Sequence, residues 1–519
     1  MLGLLISHYR LSQDKSMKQL MFFFSVQTAS LIFLMLLADP LTAQTLHEQI
    51  GLTQLRAENP NLTEGEGVTA HLVEAGTNYA PDTTLARFAG ITLDNQGPST
   101  AVSAHSTGSA TQFFGSSGVA RDLGTAGNPA VQVYAAALST GEDWINGLVS
   151  NFGRDPDTSL FDRSTVSNHS YILNNPAGGV LDIELLQRLD FIINETDTTV
   201  VSGSSNNTTL PPGWAPAFNN LLVGQTRGTH GQGLTSTYGS GRVAVDVVVP
   251  VTTSSAATPV VAGSVAILQD AADGSDAATS EVIRATIMAG ATKDEPTSAG
   301  DRSETQPLDS ISGAGELNIL NSYNIQQGGE CDGGAVTPAV LTSFYGWDYE
   351  SNLSVNGQRL YEFEVTTGNQ LEDFSVVLAW NQRIVDTNPN SSQFAPVEEL
   401  ANLSLELLDS SGAVVDSSLS AVDNVEHVFQ NALAAGTYQL RVSNDNGFAS
   451  DYGLAWRGDL VAAFLLGDVD MNGAVNFSDI PQFIAVLLSG DYQVEADCNQ
   501  DDAVDFLDIP PYVAILTGS

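Results

Sequence analysis

Residues 253–263 read TSSAATPVVAG, and the rest of the chain is best interpreted outward from this stretch. It places Ser255 at the start of a run of small and apolar residues that is typical of a buried helix. The N-terminus of a helix carries a partial positive charge, which stabilises negative charge beside it. The stretch therefore predicts a helix whose first turn presents a serine hydroxyl to a reacting group.

The sequence before this helix alternates between strand-like and helix-like patterns. Short apolar runs occupy 67–73, 130–136, 198–202, 220–224 and 242–250, and residues 180–193 have helical spacing. Such alternation indicates an α/β fold, a parallel sheet with helices on both faces. Ligands and substrates bind at the carboxyl ends of the strands in these sheets, so residues that follow the strands are candidate site residues.

Two residues that precede Ser255 in the chain complete a candidate catalytic set. Glu74 ends the first strand, and His105 lies 31 positions after Glu74 and 150 positions before Ser255. A serine hydroxyl needs a base within hydrogen-bond reach. The imidazole in turn needs a carboxylate that holds its tautomer and stabilises the imidazolium. Carboxylate, histidine and serine thus follow one another in this order along the chain.

These segments resemble the motifs of subtilisin-like serine proteases (subtilases). The Ser255 segment resembles the family's Gly-Thr-Ser-Met-Ala-Thr-Pro motif, the His105 segment its His-Gly-Thr-His motif, and the strand ending at Glu74 its aspartate strand. Residues 200–206 resemble the strand that ends in the oxyanion asparagine, here Asn206.

The resemblance covers residues 60–326 and implies a secreted serine endopeptidase that acts on a peptide or protein substrate. Ser255 would attack, His105 would move the proton, Glu74 would orient His105, and Asn206 would stabilise the oxyanion.

Departures from the family pattern at Glu74 and Thr253 favour an alternative interpretation. Glu74 stands where the family has Asp, and the extra methylene moves the carboxylate by about 1.5 Å unless the strand retracts. Thr253-Ser254 replaces Gly-Thr, so the turn before Ser255 must form with a side chain present. Asn207 competes with Asn206 for the oxyanion role. The alternative is a catalytically impaired subtilase-fold surface or adhesion protein that acts as a binding module.

The middle of the chain, residues 335–458, has the period of two that strands show. Alternating apolar residues occupy 360–365, 374–379, 403–408 and 438–442, and turn residues separate them. Several short strands of this kind predict an antiparallel β-sandwich. No catalytic residue is assigned to this domain.

The last segment, residues 464–519, contains two similar acidic loops. Each loop offers oxygen side chains at positions 1, 3, 5, 9 and 12, the pattern that Ca²⁺ requires. The candidate ligands are Asp468, Asp470, Asn472, Asn476 and Asp479 in the first loop, and Asp497, Asn499, Asp501, Asp505 and Asp508 in the second. Gly473 supplies the sharp turn of the first loop, whereas Asp502 stands at that position in the second.

Two such loops, each followed by an apolar helix, resemble a type I dockerin. The resemblance implies a small α-helical, calcium-folded module that docks to a cohesin-like or cell-surface partner. A third interpretation, a component of a polysaccharide-degrading assembly, follows from the same resemblance. The chain shows no paired carboxylates that would support glycoside hydrolysis.

The composition and the N-terminal residues limit which binding partners and which cellular locations are expected. The 519 residues carry 18 basic and 60 acidic side chains, a formal net charge of −42, which argues against nucleic acid and anionic membranes as partners.

Residues 1–43 have the basic start, apolar run and small-residue cleavage site of a signal peptide. A transmembrane anchor is the alternative. We expect a protein that is secreted or at the cell surface, without stable membrane insertion after signal cleavage. Cys331 and Cys498 lie in different domains, so a disulfide between them is possible but not implied.

Overall fold

The computed structural model describes residues 44–97, 99–136, 144, 161–172, 182–211, 215–293, 300–389, 394–463, 465–490, 492–501 and 503–517. The predicted signal peptide over 1–43 lies outside these residues, as does Asp502. Within the described ranges, none of the helices combines the length and apolar character needed to cross a bilayer.

Seven strands form one sheet in which every neighbouring pair is parallel, in the order β2-β3-β1-β4-β5-β6-β7. They are β1 (Thr69–Glu74), β2 (Leu93–Asn95), β3 (Val131–Ala135), β4 (Thr165–His169), β5 (Thr199–Gly203), β6 (Leu221–Gln225) and β7 (Val247–Val249). The predicted parallel α/β class is confirmed. The apolar run 242–250 forms a shorter strand than its length suggests, because Val243 pairs with Leu234 in an isolated bridge before β7 begins.

Helices cover both faces of this sheet. They are α1 (Leu46–Gln49), α2 (Leu52–Glu58), α3 (Ala104–Phe113), α4 (Asp182–Thr196), α5 (Ser254–Ala272), α6 (Ser280–Gly290) and α7 (Ile319–Gly328). Successive strand residues point to opposite faces, and the cores follow this rule. Leu72 packs in the core that contains α3 and α5, whereas its neighbour Val73 packs in the core that contains α4.

Helix α5 passes through the centre of the first core. Its N-cap Thr253 is extended, with φ −144° and ψ 145°, and its hydroxyl accepts a hydrogen bond from the Ala256 N–H at 3.3 Å. The turn before Ser255 therefore forms with the Thr253 side chain in place, as expected. A Cβ at Gly263 would lie 2.6 Å from Cβ of Val119, so the small residue lets the helix approach its neighbour closely.

The second half of the chain forms a β-sandwich, as predicted. The strands are β8 (Ala339–Val340), β9 (Tyr345–Leu353), β10 (Gln358–Val365), β11 (Asn369–Ala379), β12 (Arg383–Asp386), β13 (Pro396–Glu399), β14 (Asn402–Asp409), β15 (Val414–Ser418), β16 (Val425–Leu433), β17 (Gly436–Asn446) and β18 (Ser450–Ala462). One sheet has the order β15-β14-β17-β10-β8 and the other β16-β11-β18-β9, and β12 and β13 form a separate hairpin. All pairs in the two sheets are antiparallel except β8 with β10.

The sandwich packs directly on helix α6, whose 11 residues are all buried. Trp347, Val377 and Ala455 of the sandwich belong to the same apolar core as α3 and α5. A Cβ at Gly453 in β18 would lie 2.5 Å from the backbone of Glu281 and Val282. The two halves thus share one continuous core.

The C-terminal segment contains helices α8 (Ile480–Ser489) and α9 (Ile509–Thr517) with a small core of its own. The rings of Phe483 and Tyr512 stack with centroids 3.8 Å apart. Cys498 is buried in this core, Cys331 is half-buried, and both are free thiols. Their pairing, which the sequence left open, is absent.

Candidate active site and calcium loops

A cavity of about 280 Å³ lies at the carboxyl end of the parallel sheet. Its lining comes from the ends of β1 and β4, the starts of α3 and α5, and the loop after β5. The lining residues are Glu74, Ala75, Ser103, His105, Ser170, Tyr171, Ile172, Asn206, Ser254 and Ser255. All four residues that the sequence nominated for catalysis therefore share one cavity, although up to 181 positions separate them.

Glu74 and His105 form the closest pair in this cavity. Oε2 of Glu74 lies 2.7 Å from Nδ1 of His105, and the carboxylate is buried while the imidazole is half-exposed. Hydrogen bonding to the Glu74 carboxylate raises the pKa of His105, against the opposing effect of burial. A carboxylate can only accept here, so Nδ1 carries the proton and Nε2 is left as the basic nitrogen.

The extra methylene of Glu74 thus does not prevent contact with the imidazole. Its second oxygen, Oε1, is buried and has no hydrogen-bond partner within the described part of the chain. Only one of the two carboxylate oxygens is therefore engaged. The backbone carbonyl of Glu74 accepts a 2.7 Å hydrogen bond from the N–H of Ala136, which fixes the end of β1.

Ser255 is the second residue of α5 and is half-buried. Its hydroxyl donates a 3.1 Å hydrogen bond to the carbonyl oxygen of Ser170. Among the described residues it makes no hydrogen bond to His105. The two side chains nevertheless line the same cavity.

Asn206 is held by the residue that precedes the candidate nucleophile. Its amide oxygen accepts hydrogen bonds from the backbone N–H of Ser254 at 2.9 Å and from the Ser254 hydroxyl at 3.2 Å. Because the oxygen faces these donors, the NH₂ group is left available. The competing Asn207 uses its amide oxygen to accept from the N–H of Thr209 and does not line the cavity. Of the two asparagines, the geometry favours Asn206.

The sequence motifs gave no role to Ser254, Tyr171 or Ile172. The hydroxyl of Ser254 donates to the amide oxygen of Asn206, and this contact depends on the folded geometry alone. The carbonyl of Ser170 and the side chains of Tyr171 and Ile172 form one wall of the cavity.

Two histidines lie behind this wall rather than in the cavity. His71 is fully buried, and its Nδ1 lies 3.0 Å from the Ser167 hydroxyl. Burial lowers the pKa of His71 to about 4. The Nδ1 of His169, also buried, lies 2.9 Å from the Tyr171 hydroxyl. Both are neutral core residues near neutral pH, because burial also lowers the pKa of His169.

The first acidic loop brings three carboxylates together. Oxygens of Asp468, Asp470 and Asp479 lie within 4.8 Å of one another, with Asp468 and Asp479 buried. The Asp479 carboxylate also accepts the N–H groups of Asp470 at 3.1 Å and Asn476 at 2.8 Å. Gly473 has φ +83°, a left-handed conformation that suits the predicted sharp turn. An all-oxygen donor set of this kind fits Ca²⁺.

The second loop repeats this arrangement 29 residues later. Asp508 accepts from the N–H groups of Asn499 at 3.0 Å and Asp505 at 2.8 Å. Asp497, buried like Asp468, accepts from the N–H of Asp501 at 3.1 Å. The hydrogen bonds around Asp497 and Asp508 thus match those around Asp468 and Asp479, whereas among the described residues of the two loops the cluster of three carboxylates occurs in the first.

No protein-family model matches the chain, and no curated protein matches its sequence. Similar solved structures include the protease domain of PatA, 17% identical with a TM-score of 0.34, covering 52% of this chain and 98% of that one. The PatG macrocyclase in complex with peptide is 15% identical with a TM-score of 0.37, covering 54% and 98%. MycP1 from Mycobacterium smegmatis is 14% identical with a TM-score of 0.35, covering 54% and 86%. The case for function rests on the side chains in the cavity.

Proposed function

We propose that this protein is a secreted serine endopeptidase that hydrolyses peptide bonds with Glu74, His105 and Ser255. The observation that carries the proposal is the single cavity that holds the Glu74–His105 pair beside Ser255 and Asn206. A serine hydroxyl, a base with a fixed tautomer and a carboxylate partner are the components of acyl transfer.

The reaction begins when Ser255 rotates from the Ser170 carbonyl toward Nε2 of His105. Oγ of Ser255 attacks the carbonyl carbon of the scissile peptide as Nε2 takes the hydroxyl proton. The oxyanion is stabilised by the NH₂ group of Asn206 and by a backbone N–H at the start of α5. His105 then gives its proton to the leaving amine. A water, activated by the same nitrogen, hydrolyses the acyl-serine ester and restores the enzyme.

The test is covalent labelling of the mature protein with a fluorophosphonate probe in calcium. We expect the wild type to be labelled and Ser255→Ala to lose all labelling. Thr252→Ala is the matched control, because it removes an exposed hydroxyl three positions away that does not line the cavity, and it should keep the label. Absence of labelling in a folded wild type, or labelling that persists in Ser255→Ala, would contradict the proposal.

One observation favours the alternative, a subtilase-fold protein that binds without cleaving. The Ser255 hydroxyl is engaged by Ser170 and not by His105. An unlabelled wild type that still binds peptides in calcium would support this second function, and the labelling experiment therefore separates the two.

For the C-terminal segment we propose a calcium-folded module that docks to a cohesin-like or cell-surface partner. Its helices expose apolar side chains at equivalent positions of the repeat, Ile484 in α8 and Val513 in α9. Phe477 and Phe506, which precede these helices by equal distances, are more than 70% exposed. Exposed apolar groups of this kind mark interaction surfaces.

Binding to immobilised cohesin modules, with calcium and with a chelator, tests this role. We expect binding in calcium that is lost on chelation and weakened in Ile484→Asp combined with Val513→Asp. Glu364→Gln, an exposed change on strand β10, serves as control. Failure of the calcium-loaded wild type to bind any cohesin module or intact producing cells would remove the docking role. The N-terminal residue of the exported protein, expected near Gln44, tests secretion and signal cleavage separately.

A further inference from the structure

Asn206, the proposed oxyanion residue, lies on an exposed loop that follows β5. Residues 206–209 are all exposed, so packing contributes little to fixing them. The side chain of Asn206 is held through its amide oxygen by Ser254. To point its NH₂ group at a developing oxyanion, Asn206 also needs a fixed backbone, because a displacement of about 1 Å costs roughly 10²-fold in rate. A second loop supplies hydrogen bonds to that backbone.

The second loop follows β6 and contacts the Asn206 loop at two consecutive carbonyl oxygens. The hydroxyl of Thr229 donates to the carbonyl of Asn206 at 3.1 Å, and the N–H of Gly231 donates to the carbonyl of Ser205 at 3.3 Å. The two loops approach closely, since a Cβ at Gly231 would lie 3.0 Å from Oγ of Ser205. Residues 229–231, here called the support segment, therefore hold the backbone of Ser205 and Asn206.

His230 is the central residue of the support segment and is 3% exposed. Its ring packs on β6, where a Cβ at Gly224 would lie 2.7 Å from the ring carbon Cδ2. Nε2 lies 2.7 Å from the carbonyl oxygen of Ile311, which can only accept, so Nε2 carries a proton. Nδ1 lies 2.9 Å from the carbonyl oxygen of Gln225 and 3.4 Å from the N–H of the same residue. Nδ1 can therefore bond to Gln225 either as donor or as acceptor.

The two residues that bond to the His230 ring are themselves held in place. Gln225 is the last residue of β6. Ile311 lies in a turn in which Oδ1 of Asp309 accepts from the Ile311 N–H at 3.0 Å. The loop that contains this turn is attached to the β-sandwich, because Arg302 pairs with Asp416 of β15 at 2.9 Å. The ring therefore connects the support segment to parts of the fold that lie outside the active-site cavity.

We propose that His230 is a positioning residue for the oxyanion asparagine. It fixes the support segment, and the support segment holds the backbone of Asn206 so that the NH₂ group meets the oxyanion. This role rests on the proposed function for its chemistry, whereas the hydrogen bonds that link His230 to Asn206 do not depend on that function. His230 does not line the active-site cavity, so its effect passes through Thr229 and Gly231.

Fluorophosphonate labelling of the mature protein, measured over a range of probe concentrations, separates the maximal labelling rate from the half-saturating concentration. His230→Leu removes both ring nitrogens and should lower the maximal rate by about 10²-fold. The half-saturating concentration should stay nearly unchanged, since the contact with the oxyanion forms only in the transition state. His230→Gln keeps a donor for the Ile311 carbonyl and should recover most of the rate.

Thr229→Val tests the contact that passes the effect to Asn206, and because Thr229 is exposed it serves even if His230→Leu does not fold. It should lower the maximal labelling rate about fivefold, the effect of one neutral hydrogen bond, and Thr229→Ser should restore the rate. In an Asn206→Ala background Thr229→Val should cause no further loss, because the hydroxyl acts through Asn206. The exposed Thr237→Val, between the same two strands, is the matched control and should be labelled as the wild type is.

Hydrogen exchange of the Ser254 N–H gives a readout that needs no catalysis. As the first residue of α5, Ser254 has no acceptor for this N–H within the helix, so its protection reports the 2.9 Å bond to the Asn206 amide oxygen. Thr229→Val should speed this exchange about fivefold.

Unchanged exchange of the Ser254 N–H in the variants, or an equal loss of labelling from Thr229→Val when Asn206 is already absent, would overturn the role of His230. An unlabelled wild type whose variants still show the expected exchange would reject the protease and retain the link from His230 to Asn206. The two failures are therefore distinguishable.

Discussion

The carboxylate of Glu74 and the imidazole of His105 meet across 2.7 Å, although one residue ends a strand and the other opens a helix. The contact leaves Nε2 of His105 as the nitrogen that can take a proton. It also sets the charge on the ring, because it raises the pKa of His105 above its ordinary value. Both effects are open to experiment.

The rate of fluorophosphonate labelling should rise with pH through an apparent pKa above 6.5, because only neutral His105 is a base. Glu74→Gln removes the partner that stabilises the imidazolium. In this variant we expect the rise in labelling rate to occur at lower pH and the maximal labelling rate to fall by about 10⁴-fold. A Glu74→Gln profile that coincides with the wild type would show that Glu74 does not act on His105.

Glu74→Asp should slow labelling, even though the resemblance to subtilases makes aspartate the familiar residue. In this chain the strand end is placed for the longer side chain, and shortening it withdraws the carboxylate by about 1.5 Å. A displacement of that size costs roughly 10²-fold in rate. A faster Glu74→Asp enzyme would mean that β1 adjusts to the shorter residue.

Asn206→Ala should reduce the maximal rate of peptide hydrolysis by about 10²–10³-fold and leave KM nearly unchanged, since the oxyanion forms only in the transition state. Asn207→Ala is the matched control. It removes the adjacent amide, which does not line the cavity. If Asn207→Ala shows the larger loss, the assignment of the two asparagines is reversed.

Calcium removal should unfold the C-terminal module and expose Cys498, which is buried within the second loop. In a Cys331→Ser chain, the remaining thiol should react slowly with a thiol reagent in calcium and rapidly after chelation. Asp468→Ala combined with Asp497→Ala should react rapidly even in calcium, because each change removes a buried carboxylate from a loop. If the rate at which Cys498 reacts is the same before and after chelation, calcium-dependent folding is contradicted.

Glu64 should be a major contributor to stability at the N-terminal side of the fold. Its buried carboxylate accepts hydrogen bonds from Arg56 at 2.7 Å and from Arg121 at 2.8 Å. Burial alone would raise the pKa of Glu64, but the two arginines outweigh it and lower the pKa. The contribution is therefore present above the ordinary pKa of a glutamate and is lost as the pH falls through the folded value.

Glu64→Gln should accordingly cost about 1.5–3 kcal/mol in the free energy of unfolding at neutral pH, because it weakens charge-assisted hydrogen bonds to two partly exposed arginines. Denaturant titrations at pH 7 and pH 4 measure this, and the difference between variant and wild type should shrink at pH 4. The exposed Glu58→Gln is a suitable control. A difference that is independent of pH would point to packing rather than charge.

The sequence was sufficient for the parallel sheet because its strands are short, apolar and buried. The apolar runs 130–136, 198–202 and 220–224 correspond to β3, β5 and β6. Polar strands were harder to find. Strand β4 contains Ser167, Asn168 and His169, all buried, and hydrogen bonds rather than apolar character accommodate those side chains.

The nominated site residues were found from local motifs, but their contacts were not. Whether Glu74 reaches His105 depends on where β1 stops relative to α3, and no local pattern encodes that distance. The hydrogen bond from Ser255 to the Ser170 carbonyl joins residues 85 positions apart through the backbone of a neighbouring strand. Backbone acceptors carry no sequence signature, so this contact was inaccessible to motif reading.

The core shared by the two halves has a consequence for the order in which the chain matures. Helix α6 ends at Gly290, yet β18, which covers it, begins 160 residues later at Ser450. During synthesis from the N-terminus, α6 can therefore be enclosed only after β18 has left the ribosome. Completion of the core that the two halves share thus depends on a segment made 160 residues after the helix itself.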